Sequence, residues 1–325
     1  MQTPAPRPAL VVICGPTGVG KTGAAIAAAK HFDGEIIGAD SVQIYRHLDI
    51  GSAKPTRAER DATPHHLVDI LEPDAAFDAR RFAEMAGAVI RRLSAAGKVP
   101  FVVGGTGLYI KALLHGLFEP PTGCGATRER LRREAADHGG PGLHRRLAAC
   151  DPAAARRIHP NDSFRIVRAL EIFEATGRPI SDFHARHRFA ESPFQPIKIG
   201  LRVERSELYA RIDRRVEAML ADGLLAEVAG LLRMGFDPGL KPLQSLGYRH
   251  MIAHLSGTLS LAEALRTLKR DTRRYAKRQM TWFAADPTII WTAPAELPRL
   301  YPRIAAFLAQ AAGRAVTIDK SGADL

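Results

Sequence analysis

The segment Gly15-Pro-Thr-Gly-Val-Gly-Lys-Thr22 constrains this chain more than any other. It fits the pattern G-x-x-x-x-G-K-[ST], between an apolar run, Ala9–Cys14, and an Ala-rich stretch of helical character, Lys21–His31. Its glycines let the backbone curl so that N–H groups point inward at phosphate oxygens, and the helix that follows adds partial positive charge at its N-terminus. Such a loop needs a buried strand before it and a helix after it. The expected ligand is phosphorylated. Gly15, Pro16, Thr17, Gly18, Val19 and Gly20 cradle it, Lys21 meets its terminal phosphates, and the Thr22 hydroxyl is placed to hold Mg²⁺. The loop alone does not name the ligand, and most such loops serve ATP or GTP.

The flanking pattern extends the same architecture. Glu35–Gly38, His66–Leu71 and Val99–Val103 read as further strands, and Phe77–Ala96 carries apolar residues at helical spacing. Strand and helix alternate, which argues for a parallel sheet. The character changes near Pro120-Pro121: from Thr127 to about Arg188 the patterns are helical, without a convincing strand. Ile197–Val203 resumes as a strand, Arg205–Leu232 and Leu261–Phe283 read as long helices, and Thr288–Trp291 as a last strand. The expected fold class is α/β: a P-loop NTPase-like parallel sheet core flanked by helices, with an all-helical insertion. The core takes residues 1–119 plus 197–325 and the insertion 120–196.

Composition narrows the partners. The chain has 325 residues, 46% hydrophobic and 25% charged, an ordinary balance for a folded protein of about two domains. Its early apolar run is too short for a membrane span or signal core, Met1–Pro8 reads as a loose leader, and Ser321–Leu325 reads as a loose end. Cys14, Cys124 and Cys150 are odd in number and far apart, which fits a reducing cytoplasm better than a disulfide framework. The net charge of +12 is uneven: residues 1–120 hold 13 basic and 12 acidic side chains, residues 121–200 hold 14 and 9, and residues 201–325 hold 19 and 13. Arg266–Arg278 is densest, with Asp271 as its one acid. On a helix this run is either a solvated face or a phosphate-backbone surface, and the scarcity of acid favours the second.

One acid stands near the phosphate loop. Nucleotide-hydrolysing enzymes usually place a Mg²⁺-binding Asp at the end of a second core strand. Here Phe101–Val103 ends in Gly104-Gly-Thr-Gly107, without an acid, and Asp40 follows Ile36-Ile37. Position alone leaves Asp40 open as a kinase metal ligand or as a general base.

Further motifs follow in order: Ala39-Asp-Ser-Val-Gln-Ile-Tyr45, Asp49-Ile-Gly-Ser-Ala-Lys-Pro55, His65-His-Leu67, Gly104-Gly-Thr-Gly-Leu-Tyr109, Asn161-Asp162, Arg168-Ala-Leu-Glu171, Ser245-Leu-Gly-Tyr-Arg249 and Arg274-Tyr-Ala-Lys-Arg-Gln-Met-Thr-Trp-Phe283. With the phosphate loop they span about residues 10–283, and the set resembles the bacterial tRNA dimethylallyltransferases, also called tRNA isopentenyltransferases. The resemblance implies transfer of the dimethylallyl group of dimethylallyl diphosphate to N6 of adenosine 37, beside the tRNA anticodon, with release of diphosphate. It implies that the loop holds the prenyl diphosphate, so no strand-end acid is needed. It gives Asp40 the role of base, sets the Thr106 hydroxyl at the reacting centre, and makes Arg215, within Arg211–Val216, a second phosphate clamp. The chemistry agrees: the adenine N6 lone pair is delocalised into the ring, so the amine needs a proton acceptor. The departing diphosphate needs the positive charge of Lys21, Arg215 and Mg²⁺.

The resemblance also implies tRNA contacts at Asp40, Ser41, Val42, Gln43, Thr106 and Arg128, and at Phe164, Arg165, Ile166, Val167 and Arg168. The basic run adds Arg270, Arg273, Arg274, Lys277 and Arg278. Gln43 carries the donor–acceptor pair that an adenine edge requires. Phe164 is open to stacking on a base or to packing in a helical core. The target base must be extruded from the anticodon loop to reach a deep site. The partners are the anticodon stem-loop and dimethylallyl diphosphate, with no membrane, for a cytoplasmic monomer. Cys14 reads as core, His65-His66 as packing, and His184 with His187 lacks further metal ligands. Ser52 stands where the family usually has Thr, Ala284 where Arg is common, and the Gly-rich Thr122–Ala126 leaves the alignment around Arg128 open. The rivals are an isopentenyltransferase acting on free adenine nucleotides, a P-loop kinase, and a non-enzymatic RNA-binding module. The basic surface beyond residue 120 speaks against the mononucleotide enzyme, and the phosphate loop with Asp40 and Thr106 against the module.

Overall fold

The computed structural model describes residues 7–117, 125–186 and 192–313. Most of the expected leader, the expected loose end, Cys124, His187 and the expected boundary at 119/120 lie outside these residues. The chain divides into two compact units, one drawn from residues 1–114 and 192–325, the other from His115–Glu191.

The first unit is built on strands β1 (Ala9–Cys14), β2 (Gly34–Gly38), β3 (His65–His66), β4 (Val99–Gly104), β5 (Gln195–Leu201) and β6 (Ile290–Thr292). All pair in parallel, in the order β3-β2-β4-β1-β5-β6. β1 is central, with Val11 opposite Phe101 on one side and Ile197 on the other. Leu10, Val11, Val12 and Ile13 are fully buried, as expected of a strand covered on both faces. The covering helices include α1 (Lys21–His31) and α3 (Ala79–Ala95); α2 (Arg57–Ala62) and nearly all of α4 (Gly107–His115) also belong to this unit.

Parallel pairing sets the carboxyl ends of β1, β2 and β4 side by side, so the loops after Cys14, Gly38 and Gly104 converge. In open α/β sheets ligands bind at this edge. The convergence is tight. The Ala39 amide donates to Val103 O (2.8 Å) and the Thr106 amide to Ala39 O (3.3 Å), and a Cβ on Gly104 would overlap the Ala39 carbonyl. Replacing Gly104 with Ala must therefore move backbone against backbone. We expect Gly104→Ala to lower stability by about 2–4 kcal/mol in urea unfolding; an unchanged midpoint would mean that the loops separate freely.

The second unit contains α5 (Gly125–Cys150), α6 (Pro152–Ala155), α7 (Ser163–Thr176) and α8 (Ile180–Arg186). No strand falls among its described residues. Leu131, Leu147, Ile166 and Leu170 form part of its core. α5 is broken at Gly139, whose φ of 72° is not helical. Asp162 caps α7 by accepting from the Arg165 amide.

The C-terminal part of the first unit adds α9 (Arg205–Ala221), α10 (Leu224–Arg233), α11 (Tyr248–Leu255), α12 (Leu261–Ala284), a 3₁₀ turn at Pro294–Leu300 and α13 (Tyr301–Ala311). Three expectations change here and at the sheet edge. The single helix expected over 205–232 is two, because Gly223 takes φ 102° and turns the chain between α9 and α10. The strand expected at 66–71 shrinks to His65–His66, because Leu67 and Asp69 adopt positive φ. The last strand starts at Ile290, since Asp286 holds the amide and hydroxyl of Thr288 in a turn. α12 forms over the expected span, with a Ser260–Glu263 capping box at its start. Among the described residues no helix is long and apolar enough to cross a membrane.

Candidate active site

The loop after β1 is shaped by its glycines. Gly15 has φ 148°, and a Cβ there would sit 2.6 Å from Leu201 O. Gly18 and Gly20 also have positive φ. Lys21 Nζ donates to Gly15 O (3.0 Å) and Pro16 O (2.8 Å), so the ammonium is held at the loop. Burial pulls its pKa from 10.5 down to about 8, against the opposing pull of Asp40; the charge of Arg215 lowers it further. Helix α9 closes one flank. Arg211 Nη1 donates to Val19 O (3.2 Å) and Arg215 Nη1 to Thr17 Oγ1 (3.3 Å). Burial also lowers the Arg215 pKa, and Asp40 raises it. Two cations, Lys21 and Arg215, thus face one anion, Asp40, with positive charge in excess.

Asp40 is held by its own turn. Its Oδ1 accepts from the amides of Val42 (2.9 Å) and Gln43 (3.2 Å). Among the described residues Oδ2 has no hydrogen-bond donor. Thr106 stands beside it: its Oγ1 accepts from the Ser41 amide (3.2 Å). One amide after Asp40 therefore fixes the hydroxyl, and the next two fix the carboxylate.

Helix α12 contributes residues that no motif reading singled out. Tyr275 lines the site beside Asp40, and burial, then the charge of Asp40, push its phenol pKa up to about 12. Gln279 is buried, accepts from the Thr17 amide (2.8 Å) and donates to Gly105 O (2.9 Å). Tyr275 and Gln279 are four residues apart and so share a helix face, a signal already present within Arg274–Phe283. Two more unassigned residues brace the segment after Asp40. Buried Lys54 donates to Tyr45 O (2.8 Å), Asp49 Oδ1 (2.5 Å) and Asp69 Oδ1 (2.7 Å). Glu227 accepts from the amides of Asp49, Ile50 and Gly51 and from the Tyr248 hydroxyl. Ser52 turns its hydroxyl onto Leu48 O (2.6 Å).

Two cavities meet here. A cavity of ≈ 730 Å³ contains the phosphate loop, with Lys21 and Thr22 in its wall. A second, of ≈ 300 Å³, is lined partly by Val42, Val216, Leu268 and Arg278. Thr17, Asp40, Ser52, Arg215, Met219 and Tyr275 line both. The carboxylate thus stands where a phosphate chamber opens into a half-apolar one. Among the described residues no cluster of three His, Cys, Asp or Glu side chains could hold a metal. A cation at the loop would rest on the Thr22 hydroxyl and on oxygens of its ligand, a donor set that suits Mg²⁺ carried by phosphate.

The remaining candidate contacts divide. Gln43 spends both amide hydrogens on Ser52 O (3.1 Å) and Ala53 O (2.9 Å), so only its Oε1 is free and the expected donor–acceptor pair is not available. On α7, Ile166 is fully buried in the core of the second unit, so its side chain cannot touch RNA, while Val167 packs on the same core and also lines a pocket with Arg128, Phe164 and Arg168. Phe164 is 76% exposed, which removes the core-packing alternative. Arg128 and Arg168 both pair with buried Glu171, at 2.9 and 2.7 Å, and Arg165 pairs with Asp162 (2.9 Å). On α12, Arg273 is committed to both oxygens of Asp213, and Arg270 and Arg274 share Asp271, whose pKa, against the upward push of burial, is held at about 2 by hydrogen bonds from Arg270, His250 and Arg249. Arg278 lies over Tyr275, and Lys277 is exposed. The basic run is thus partly neutralised from within. His66 pairs with Glu35 (2.6 Å) and His65 bonds Thr63 O, both structural contacts. Burial raises the Cys14 pKa to about 12, as befits a core thiol.

Comparison with known proteins agrees with this geometry. Residues 43–286 match the IPP transferase family. The chain is 57% identical over 285 residues to a tRNA dimethylallyltransferase of Desulfosudis oleivorans, covering 88% of this chain and 91% of that one. It is 52% identical over 295 residues to the tRNA dimethylallyltransferase of Syntrophobacter fumaroxidans, covering 91% and 86%. Among solved structures, the tRNA isopentenylpyrophosphate transferase of Bacillus halodurans superposes with a TM-score of 0.69 at 38% identity, over 94% of this chain and 98% of that one. A eukaryotic dimethylallyltransferase acting on tRNA superposes at 0.75 with 26% identity, over 96% and 81%. This chain belongs to the IPP transferase family.

Proposed function

We propose that this chain is a tRNA dimethylallyltransferase, moving the dimethylallyl group of dimethylallyl diphosphate to N6 of adenosine 37 in tRNA. One observation carries the assignment of its parts: Asp40 lies at the junction of the two cavities, its Oδ2 free, beside the cations of the phosphate loop. The diphosphate occupies the loop cavity against Lys21, Arg215 and the loop amides. The extruded adenine approaches from the other side of Asp40. A bond forms between N6 and the allylic carbon as the bond from that carbon to the diphosphate oxygen breaks. The electron pair leaves with the diphosphate, and the N6 proton passes to Asp40 Oδ2. Lys21 and Arg215 stabilise the charge growing on the leaving group. Thr106, fixed by the Ser41 amide, presents a hydroxyl between amine and leaving group. Thr22 would hold Mg²⁺ on the diphosphate, where the ion supplies further charge neutralisation. On the second unit, exposed Phe164 offers a ring for stacking on an unpaired base. On the first unit, Arg274, Lys277 and Arg278 of α12 offer charge to RNA phosphates.

A mass-spectrometric transfer assay tests the reading. Purified protein is given Mg²⁺, unmodified tRNA and dimethylallyl diphosphate, with AMP and ATP as competing acceptors. The expected product is tRNA heavier by one dimethylallyl group on an anticodon-loop adenosine. Prenylated AMP without prenylated tRNA would assign the chain to free nucleotides, and ATP turnover without transfer would make the loop a kinase site.

A further inference from the structure

Gln279 joins two segments that the reaction must keep in register. Its Oε1 takes the Thr17 amide at the shoulder of the phosphate loop, and its Nε2 gives a hydrogen bond to Gly105 O, one residue before Thr106. Thr17 is doubly held, since its hydroxyl accepts from Arg215. A Cβ on Gly105 would displace the Gln279 amide from this position. Tyr275, one turn earlier on α12, lines the loop cavity together with Gln279. Only a side chain with an acceptor and a donor at one tip, and with this reach, spans the two loops. A buried amide of this kind is rigid, since each loop would leave an unpaired backbone group if it moved.

We propose that Gln279 is a positioning residue: it links the seat of the diphosphate in the 15–22 loop to the placement of the Thr106 hydroxyl. The proposal rests on the prenyl-transfer reading above. Through this link, a shift of the phosphate loop carries Gly105 and Thr106 with it, and the reacting groups stay aligned. Both polar atoms of Gln279 are engaged by backbone groups, so it acts through Thr17 and, by way of Gly105, through Thr106.

The test is a double-substitution cycle on the full chain. Gln279→Leu is compared with wild type, Thr106→Val and the double variant in single-turnover transfer, with inorganic pyrophosphate binding by calorimetry alongside. The expected result is a fall of about 10- to 100-fold in transfer rate for Gln279→Leu, the scale of a misplaced reacting group, and weaker pyrophosphate binding, with tRNA affinity unchanged. In the Thr106→Val background the same change should cost little, because the group it positions is gone. Gln279→Asn, which keeps the amide but is one methylene too short to reach both loops, should fold and show an intermediate loss. An equal fold-loss in both backgrounds, or unaltered transfer and pyrophosphate binding in Gln279→Asn, would overturn the proposal. Wild-type protein that transfers no prenyl group would instead overturn the reading beneath it.

Discussion

Replacing Asp40 with Asn lowers the prenyl-transfer rate about 10³-fold and leaves tRNA affinity nearly intact. The magnitude is that of losing a positioned proton acceptor. Asn retains an oxygen for the Val42 and Gln43 amides, so the turn survives, and the substitution removes only the charge and basicity at the free tip. The measurement is single-turnover transfer with saturating dimethylallyl diphosphate, paired with tRNA binding by filter retention. Asp40 raises the Lys21 and Arg215 pKa values, so its loss removes a negative neighbour of the diphosphate but lets the Lys21 pKa fall below about 8; at pH 6, where the ammonium is kept, the variant should bind pyrophosphate no more weakly than wild type. A tRNA affinity that falls in step with the rate would make Asp40 a recognition residue and remove the base assignment.

The phosphate loop, the strands around it and the helix Leu261–Ala284 are legible in the sequence because each rests on local rules: glycines at left-handed positions, apolar runs and a capping box. Asp40 and Thr106 are legible as residues within motifs. What joins them is not. The Gln279 bridge spans residues 17, 105 and 279, and no local pattern shows which turn of α12 meets which loop. Gln43 shows the opposite failure. Its side chain has the chemistry to read adenine, yet the Ser52 and Ala53 carbonyls take both its amide hydrogens. The basic run likewise showed Asp271 as its one acid, because Asp213, which neutralises Arg273, lies 60 residues earlier on α9. Ile166, fully buried between exposed Phe164 and Arg165 and half-buried Arg168, shows that a motif marks a segment, and helical periodicity then decides which of its side chains face outward.

Lys21→Met is expected to weaken dimethylallyl diphosphate binding about 10²- to 10³-fold while stabilising the ligand-free protein. The first effect is the loss of charge-assisted contacts to the terminal phosphate. The second follows from the sign of the Lys21 shift. Burial lowers its pKa from 10.5 to about 8 in the folded chain. Below about 8 the folded protein carries a buried charge that the unfolded chain solvates freely, and folding is penalised. Between about 8 and 10.5 the unfolded chain binds more protons than the folded one, so wild-type stability should gain from this group as pH rises. Met removes that penalty at pH 7. Diphosphate binding runs the other way, because it needs the ammonium. Wild-type affinity should be flat below pH 8 and fall steadily above it, and binding near pH 8 should take up a proton as the phosphate restores the Lys21 charge. Calorimetry in two buffers of different ionisation enthalpy measures that proton, and urea unfolding at pH 7 and pH 9 measures the stability change. The two effects oppose each other by design of the site: the lysine that costs stability in the empty loop is the one whose charge the ligand needs. Diphosphate affinity that stays level through pH 9, with no proton uptake, would place the phosphate beyond the reach of Lys21 and shift its neutralisation to Arg215.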